Sequence, residues 1–113
     1  LQDLATKDFL TGLSNRRHFF DVAARRLEAL RSDPKPYAVA TLDIDHFKKI
    51  NDTWGHDGGD LALKAVARAV ADHARPHDTI ARFGGEEFVV LAPGLDADEA
   101  CTYFEALRER IAA

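Results

Sequence analysis

Two adjacent glycines near the end of the chain constrain its fold more than any other feature. Gly84 and Gly85 lie within the stretch RFGGEEF at 82–88, which strand-like residues flank at 78–81 and 89–92. Two such runs around a glycine pair predict a β-hairpin, because the tight turn needs a positive φ that glycine adopts without steric cost. A tip without side chains also lets a bulky charged ligand, such as a nucleotide, approach the backbone closely.

Carboxylates follow both this turn and an apolar stretch earlier in the chain. Glu86 and Glu87 follow the glycines, and the apolar stretch 37–44 reaches acids at Asp43 and Asp45. Apolar residues on both faces of that stretch predict a central strand covered on two sides. Wherever such acids meet, they repel one another unless a cation neutralises them, and oxygen ligands select Mg²⁺ or Mn²⁺. For each acid taken alone, a solvent-facing or strand-ending position is the simpler interpretation.

Helical periodicity accounts for much of the remaining chain. The pattern predicts a first helix at 14–31, capped by Ser14 or Asn15. It then predicts a short helix at 46–51, a loop at 54–59 and a second long helix at 60–73. Asp96 and Glu99 form a capping-box pattern for a last helix. The apolar stripes predict these core positions: Phe20, Ala23, Leu27 and Leu30; Leu63, Val66, Ala67 and Val70; Ala100, Phe104, Leu107 and Ile111. This order of elements predicts an α/β fold, of the α+β kind, with helices packed on a sheet.

The composition is that of one small globular domain. The chain has 113 residues, of which 46% are hydrophobic, and its net charge is −4. This balance argues against binding to DNA or to an acidic membrane, and no apolar run approaches the roughly 20 residues that a membrane helix requires. The lone Cys101 falls on an apolar helical stripe, which predicts a buried side chain and is compatible with a reducing cytoplasm.

Four sequence blocks in this order resemble the GGDEF family in its GGEEF form, the catalytic domain of bacterial diguanylate cyclases. They read DFLTGLSNRR at 8–17, LDIDHFKKIND at 42–52, TWGHDGGD at 53–60 and GGEEF at 84–88. The resemblance implies a ferredoxin-like sheet of the nucleotidyl-cyclase and polymerase-palm kind, with the first strand beside the hairpin. It covers residues 8–113, and residues 1–7 are expected to be the end of an upstream helix or linker.

The same resemblance implies catalytic and metal-binding residues. The ligands of two Mg²⁺ or Mn²⁺ ions per site would be Asp43, the backbone carbonyl of Ile44, Glu86 and Glu87. Glu86 matches the acceptor of the ribose 3′-hydroxyl proton, and Lys48 matches a residue that stabilises the transition state. Glu87 would be a further catalytic carboxylate.

Other matches concern the nucleotide. The substrate-binding residues implied by the resemblance are Phe47, Lys48, Asn51, His56, Asp60, Gly84 and Gly85. The amides of Phe47 and Lys48 would hold phosphate oxygens. Asn51 and Asp60 would read the guanine edge, and a carboxylate that accepts from N1–H and the 2-amino group favours GTP over ATP. From its position alone, Asp60 is explained more simply by the dipole of the helix whose first turn it occupies. His46 departs from the aromatic residue often found there in the family.

Arg75 and Asp78 match the RxxD inhibitory site through which the product arrests these enzymes. Arginine can make a forked contact to a guanine edge or to a phosphate. The alternative interpretation is an ordinary ion pair at the entrance of the strand. The sequence assigns no role to Arg82.

The leading hypothesis is a diguanylate cyclase that condenses two GTP to cyclic di-GMP and two pyrophosphates. Each domain would hold one GTP, so catalysis would need a homodimer, which an upstream sensory or receiver domain would control. The alternative hypothesis is a non-catalytic cyclic di-GMP receptor that binds through Arg75 and Asp78. Asp60 disfavours a third hypothesis, a cyclase for adenine-containing dinucleotides.

The resemblance also implies a strand or hairpin after the last helix, with a Lys and an Arg beyond it that grip the terminal phosphates. The 113 residues do not contain these elements, so the domain would be partial at its C-terminal end. We therefore expect these residues alone to bind GTP poorly, and we expect the sheet to have an exposed edge open to pairing with another chain.

Overall fold

The computed structural model describes residues 6–112, in which helices pack on both faces of an antiparallel sheet. The elements are α1 (Arg16–Ala29), β1 (Tyr37–Asp43), α2 (Phe47–His73), β2 (Thr79–Gly84), β3 (Glu87–Pro93) and α3 (Ala97–Ala112). Their order confirms the predicted α+β fold. The expected linker at 1–7 falls largely outside the described residues, although Lys7 forms an antiparallel bridge with Ser14.

The sheet has the strand order β1-β3-β2, with both pairs antiparallel. The prediction that 37–44 is a central, doubly covered strand is wrong, because β3 occupies the centre and β1 lies at the edge of this sheet. Residues 88–92 of β3 are all buried, whereas Val39 in β1 is 61% exposed. Both strands are apolar, so their composition does not reveal which one lies inside.

Helix α1 begins as expected but buries a different face. Asn15 is its N-cap, and the side-chain Oδ1 accepts a 2.8 Å hydrogen bond from the backbone N–H of His18. Two predicted core residues, Phe20 and Leu27, are exposed, at 50% and 67%. Phe19 is buried instead and packs against Ala81, Val89 and Leu91 on one face of the sheet. The adjacent phenylalanines gave no signal that distinguished them.

Element α2 consists of two helical parts that meet at a break, so a short helix followed by a long one is present as predicted. Gly55 (φ 75°, ψ 179°) is its one residue of non-helical backbone. The loop predicted at 54–59 is therefore wrong, except at that residue. The stripe beyond the break is confirmed: Leu63, Ala67 and Val70 are buried against the sheet face opposite α1.

Helix α3 confirms the capping box. The backbone N–H of Glu99 donates to Asp96 Oδ1 at 2.8 Å, and the N–H of Asp96 donates to Glu99 Oε1 at 3.0 Å. Leu107 is 1% exposed and packs against Val70 and Val90. Cys101 is exposed, so its predicted burial is wrong. Within residues 6–112, the helices are too short or too polar to cross a bilayer.

Candidate active site

The hairpin turn between β2 and β3 is open to solvent. The pairing Gly84↔Glu87 leaves Gly85 and Glu86 at the tip, one residue later than the glycine pair itself. Gly85 has φ 52°, which confirms the predicted positive φ. A Cβ added at either glycine would meet nothing within 4 Å. The bare backbone of this turn therefore leaves room for a ligand.

The end of β1 lies beside this turn. Asp43 is the cross-strand partner of Glu87, so both side chains project from the same face of the sheet, and both residues are exposed. The backbone N–H of Ile44 donates to the carbonyl oxygen of Glu86 at 3.3 Å. The structure thus joins the acidic end of β1 to the acidic turn of the hairpin, as the family resemblance implies.

The donor set of this edge suits a hard divalent cation. Carboxylate and carbonyl oxygens from Asp43, Ile44, Glu86 and Glu87 are the ligand type that Mg²⁺ and Mn²⁺ prefer. Across residues 6–112, however, no three acidic, histidine or cysteine side chains lie close enough together to hold an ion. The expected three-carboxylate cluster is therefore not preformed. Like charges repel when no cation lies between them, so these carboxylates stay apart. They still fit a divalent metal, because their oxygen atoms are suitable ligands and they lie at the same edge of the sheet.

Helix α2 starts directly after the acidic end of β1. Its N-cap, His46, has left-handed backbone (φ 60°, ψ 28°) and makes no side-chain capping hydrogen bond. A left-handed non-glycine residue costs about 1–2 kcal/mol, so this turn is strained. The first N–H groups of α2 thus lack a side-chain cap and can face an anion. Phe47 is half-buried at this end, and Lys48 is exposed.

Asn51 holds a buried acceptor without a partner. Within residues 6–112, its Oδ1 is the one buried side-chain polar atom that makes no hydrogen bond. An orphaned buried acceptor is costly unless something supplies a donor. A ligand N–H group would satisfy it, which fits the proposed recognition of a guanine edge.

Gly59 lies against Asn51 and leaves room for its side chain. No sequence pattern indicated this contact. A Cβ added at Gly59 would lie 1.9 Å from Asn51 Oδ1 and 3.3 Å from Cζ of Phe47. Residues eight apart in a straight helix are separated by about 12 Å along its axis. The break at Gly55 folds the two parts of α2 together, and only a glycine at 59 leaves room for the asparagine.

Asp60 and His56 are exposed on the same helix, after the break at Gly55. Asp60 lies five residues beyond Gly55, so it is not in a first helical turn, and the simpler explanation through the helix dipole does not hold. Asp60 directly follows Gly59, and its carboxylate is not occupied at the start of the helix. It is therefore available to a ligand.

The structure places Arg75 and Asp78 in contact with each other. Arg75 donates to Asp78 Oδ1 through Nε (3.1 Å) and Nη2 (2.8 Å), and its backbone N–H donates to Oδ2 at 2.9 Å. Nη2 also donates to the Pro93 carbonyl at 2.7 Å. The hydroxyl of Tyr103 in α3 donates to Asp78, and His73 stacks on the Tyr103 ring. The Asp78 side chain is completely enclosed.

This network shifts three pKa values. Burial alone would raise the pKa of Asp78, but the hydrogen bonds from Arg75 and Tyr103 outweigh it and hold that pKa below its ordinary value. The hydrogen bond to Asp78 raises the pKa of Arg75. Burial and the neighbouring Asp78 raise the pKa of Tyr103 to about 12. The pair therefore acts as a structural link between β2 and α3.

The raised pKa of Tyr103 makes the free energy of unfolding fall at high pH. Because the folded pKa is raised, this contribution is complete below about pH 10, the ordinary pKa of tyrosine, and is lost as pH rises towards 12. We expect Tyr103→Phe to flatten the decline of the unfolding midpoint between these pH values. Urea unfolding at a series of pH values measures this effect. Tyr37→Phe is the matched control and should keep the decline, so a decline unchanged in Tyr103→Phe would contradict the assignment.

Arg82 is a residue whose contacts sequence analysis missed. Its Nε and Nη2 donate to the carbonyl oxygen of Gly85 at 3.1 and 2.9 Å. Its Nη1 donates to both carboxylate oxygens of Asp8, at 3.1 and 3.3 Å. The two partners are 74 positions apart in sequence, so no local pattern could indicate the contact.

Comparisons with known proteins agree with this arrangement. Residues 5–113 match the family described as "Diguanylate cyclase, GGDEF domain". The probable diguanylate cyclase DgcT of Escherichia coli (strain K12) is 41% identical over 110 residues, which are 97% of this chain and 24% of DgcT. The cyclic di-GMP phosphodiesterase NbdA of Pseudomonas aeruginosa is 43% identical over 111 residues, which are 98% of this chain and 14% of NbdA.

Among solved structures, the GGDEF domain of DgcB from Caulobacter crescentus, in complex with c-di-GMP, superposes with a TM-score of 0.88 at 41% identity. The match covers 92% of this chain and 61% of that one. The chain spans about a quarter of the length of DgcT, so the match concerns one domain of such proteins. With the family match spanning nearly the whole chain and the acidic hairpin turn beside the end of β1, this protein belongs to the GGDEF domain family of diguanylate cyclases.

Proposed function

We propose that this domain is the catalytic part of a diguanylate cyclase, which condenses two GTP to cyclic di-GMP and two pyrophosphates. The observation that carries the proposal is the pairing of Asp43 with Glu87, together with the hydrogen bond from Ile44 to the Glu86 carbonyl. It brings the acids of two strands to one edge, next to an uncapped helix start. The names of relatives such as DgcT support the same activity.

In this mechanism, the ribose 3′-oxygen of one GTP attacks the α-phosphorus of the other. Glu86 accepts the 3′-hydroxyl proton, a P–O bond forms, and the bond to the pyrophosphate leaving group breaks. Repetition in the opposite direction closes the ring. Asp43, the Ile44 carbonyl, Glu86 and Glu87 would hold two divalent cations, which would activate the hydroxyl and offset charge on the leaving group. Lys48, with the first amides of α2, would hold the triphosphate.

Guanine recognition would use Asn51 and Asp60 in α2. Oδ1 of Asn51 is a buried acceptor in need of a donor, and Asp60 offers an exposed carboxylate nearby in the helix. Guanine has two neighbouring N–H donors, at N1 and at the 2-amino group, whereas adenine does not present this pair. His56 would make a lesser contact.

Asp60→Ala should weaken recognition of GTP and reduce its preference over ATP. Losing a hydrogen-bond partner of this kind costs about 1–3 kcal/mol, so we expect the KM for GTP to rise by about fivefold to about 150-fold. Initial rates of the full-length protein with GTP and with ATP measure the effect. Asp57→Ala, on the same exposed stretch of α2, is the matched control. Equal GTP preference in the parent and in Asp60→Ala would remove Asp60 from the site.

Catalysis by this scheme needs two domains, since each holds one GTP. We therefore propose a homodimer as the active unit, controlled by an upstream sensory or receiver region. Product inhibition would act through Arg75 and Asp78. Because Tyr103 and Arg75 enclose the Asp78 carboxylate, cyclic di-GMP would have to displace Tyr103 to reach it.

The alternative function is a receptor that binds cyclic di-GMP without making it. The match to NbdA, whose name describes a phosphodiesterase and not a cyclase, shows that similar domains also occur in proteins that are not named as cyclases. The intact acids at 43, 86 and 87, with Lys48 and Asn51, favour the enzyme. A receptor has no need for a complete set of catalytic side chains.

The test is to incubate the full-length protein with GTP and Mg²⁺ and separate the products by chromatography. The cyclase should release cyclic di-GMP and pyrophosphate in a ratio of one to two, and a chelator should stop the reaction. Tight binding of cyclic di-GMP with no product from GTP would support the receptor instead. Failure of both would contradict the proposal and its alternative together.

A further inference from the structure

The side chain of Arg82 makes an unusual set of contacts at the hairpin. Two of its donors converge on one acceptor, the carbonyl oxygen of Gly85, and a third reaches the carboxylate of Asp8. Both side chains of this ion pair are 14% exposed, so solvent screens it only in part. The guanidinium thus joins the tip of the turn to the segment before α1.

Asp8 is itself held in place before it meets Arg82. Its Oδ2 accepts from the backbone N–H of Thr11 at 2.9 Å and from the Thr11 hydroxyl at 2.8 Å. The neighbouring backbone is also tied to β2, because Ser14 donates to Ile80 O at 3.2 Å and the N–H of Arg82 donates to Ser14 O at 3.0 Å. Asp8 is therefore a fixed anchor and not a mobile surface acid.

The consequence falls on Glu86. The carbonyl of Gly85 belongs to the peptide plane before the Cα of Glu86, and the carbonyl of Glu86 belongs to the plane after it. Arg82 holds the first plane, and the N–H of Ile44 holds the second. Fixing both planes fixes the direction of the Cα–Cβ bond between them. Without this restraint, the glycine pair at 84 and 85 would let the turn adopt many conformations.

We propose that Arg82 is a positioning residue, with Asp8 as its anchor, that aims the Glu86 carboxylate at the cations and the 3′-hydroxyl. The inference rests on the proposed cyclase function and adds to it a residue that touches neither substrate nor metal. The geometry needs arginine: a guanidinium presents donors in a planar fork that serves two partners at once, whereas the ammonium of lysine is a compact point charge.

The test is Arg82→Lys in the full-length protein, which keeps the charge and loses the fork. A misplacement of about 1 Å in a catalytic group costs about a hundredfold, so we expect kcat to fall about a hundredfold. The KM for GTP should change less than threefold, because Asn51 and Asp60 are untouched. The affinity for Mn²⁺, followed by electron paramagnetic resonance, should fall about tenfold. Arg108→Lys, which alters the forked ion pair with Glu105 on the exposed face of α3, is the matched control.

Asp8→Asn extends the test and guards against misfolding. It should lower kcat in the same direction, and the double variant should lose less than the sum of the two single losses, because the residues act as one unit. Thermal unfolding of each variant accompanies the kinetics. Unchanged kcat and Mn²⁺ affinity in Arg82→Lys would overturn the inference, as would a loss of GTP affinity and thermal stability with kcat intact. A parent protein without turnover would overturn the proposed function, and the Mn²⁺ titration would still decide the role of Arg82.

Discussion

Glu86→Gln should lower the turnover of GTP by the full-length protein by about a thousandfold. Glutamine keeps the size of the side chain, but it cannot accept the 3′-hydroxyl proton and is a poor ligand for a hard cation. The backbone of the turn should survive the change, because residue 86 is held there through its carbonyl by the N–H of Ile44. Chromatography of the products at saturating GTP and Mg²⁺ measures the loss.

Two controls make this result specific. Glu105→Gln removes a carboxylate of the same type from an exposed position on α3 and should leave turnover unchanged. Cyclic di-GMP binding by Glu86→Gln should also be retained, because the Arg75 and Asp78 pair lies at the other end of β2. A Glu86→Gln variant that turns over GTP at the parental rate would remove this carboxylate from the mechanism.

Gly59→Ala should raise the KM for GTP at least about tenfold while the protein stays folded. The new Cβ would overlap Asn51 Oδ1, which it approaches to 1.9 Å, and the asparagine would have to move. The buried acceptor that we propose for the base is then displaced. Overpacking of this kind costs about 1–3 kcal/mol, partly offset by the better helix propensity of alanine.

A second background isolates the cause. In an Asn51→Ala protein the overlap with Oδ1 is gone and the 3.3 Å approach to Cζ of Phe47 remains, so Gly59→Ala should cost less stability than in the parent and leave the KM for GTP nearly unchanged. Thermal unfolding of the four proteins in this cycle measures the difference. If Gly59→Ala has the same effect in both backgrounds, its contact with Asn51 does not matter.

Local signals were sufficient for the hairpin and for the N-terminal caps of α1 and α3. The Asn15 cap and the reciprocal Asp96 and Glu99 bonds depend on neighbours within a few residues, and the structure has them where the sequence predicts them. The hairpin is also present, with its tip one residue later than predicted, at Gly85 and Glu86. The approach of Asp43 to the hairpin came from family resemblance, which carries information about strand order. Local periodicity alone could not have supplied it.

Other features depend on how elements meet in space. The position of β1 at the edge of the sheet, and the burial of Phe19 in place of Phe20, follow from which neighbours cover each strand and helix. The contact of Gly59 with Asn51 needs the break at Gly55, which a helical pattern does not show. The acidic partner of Arg82 is Asp8, which lies 74 positions away in the sequence.

The most direct measurement is a crystal structure of the full-length protein with Mn²⁺ and a non-hydrolysable GTP analogue, using the anomalous signal of manganese. We expect anomalous peaks at the edge between β1 and the hairpin turn, at about 2.2 Å from carboxylate oxygens of Asp43 and Glu86, close to the distances of Mg²⁺ sites. The guanine should lie against Asn51. Manganese bound elsewhere, with Asp43 and Glu86 turned to opposite sides of the molecule, would contradict the account.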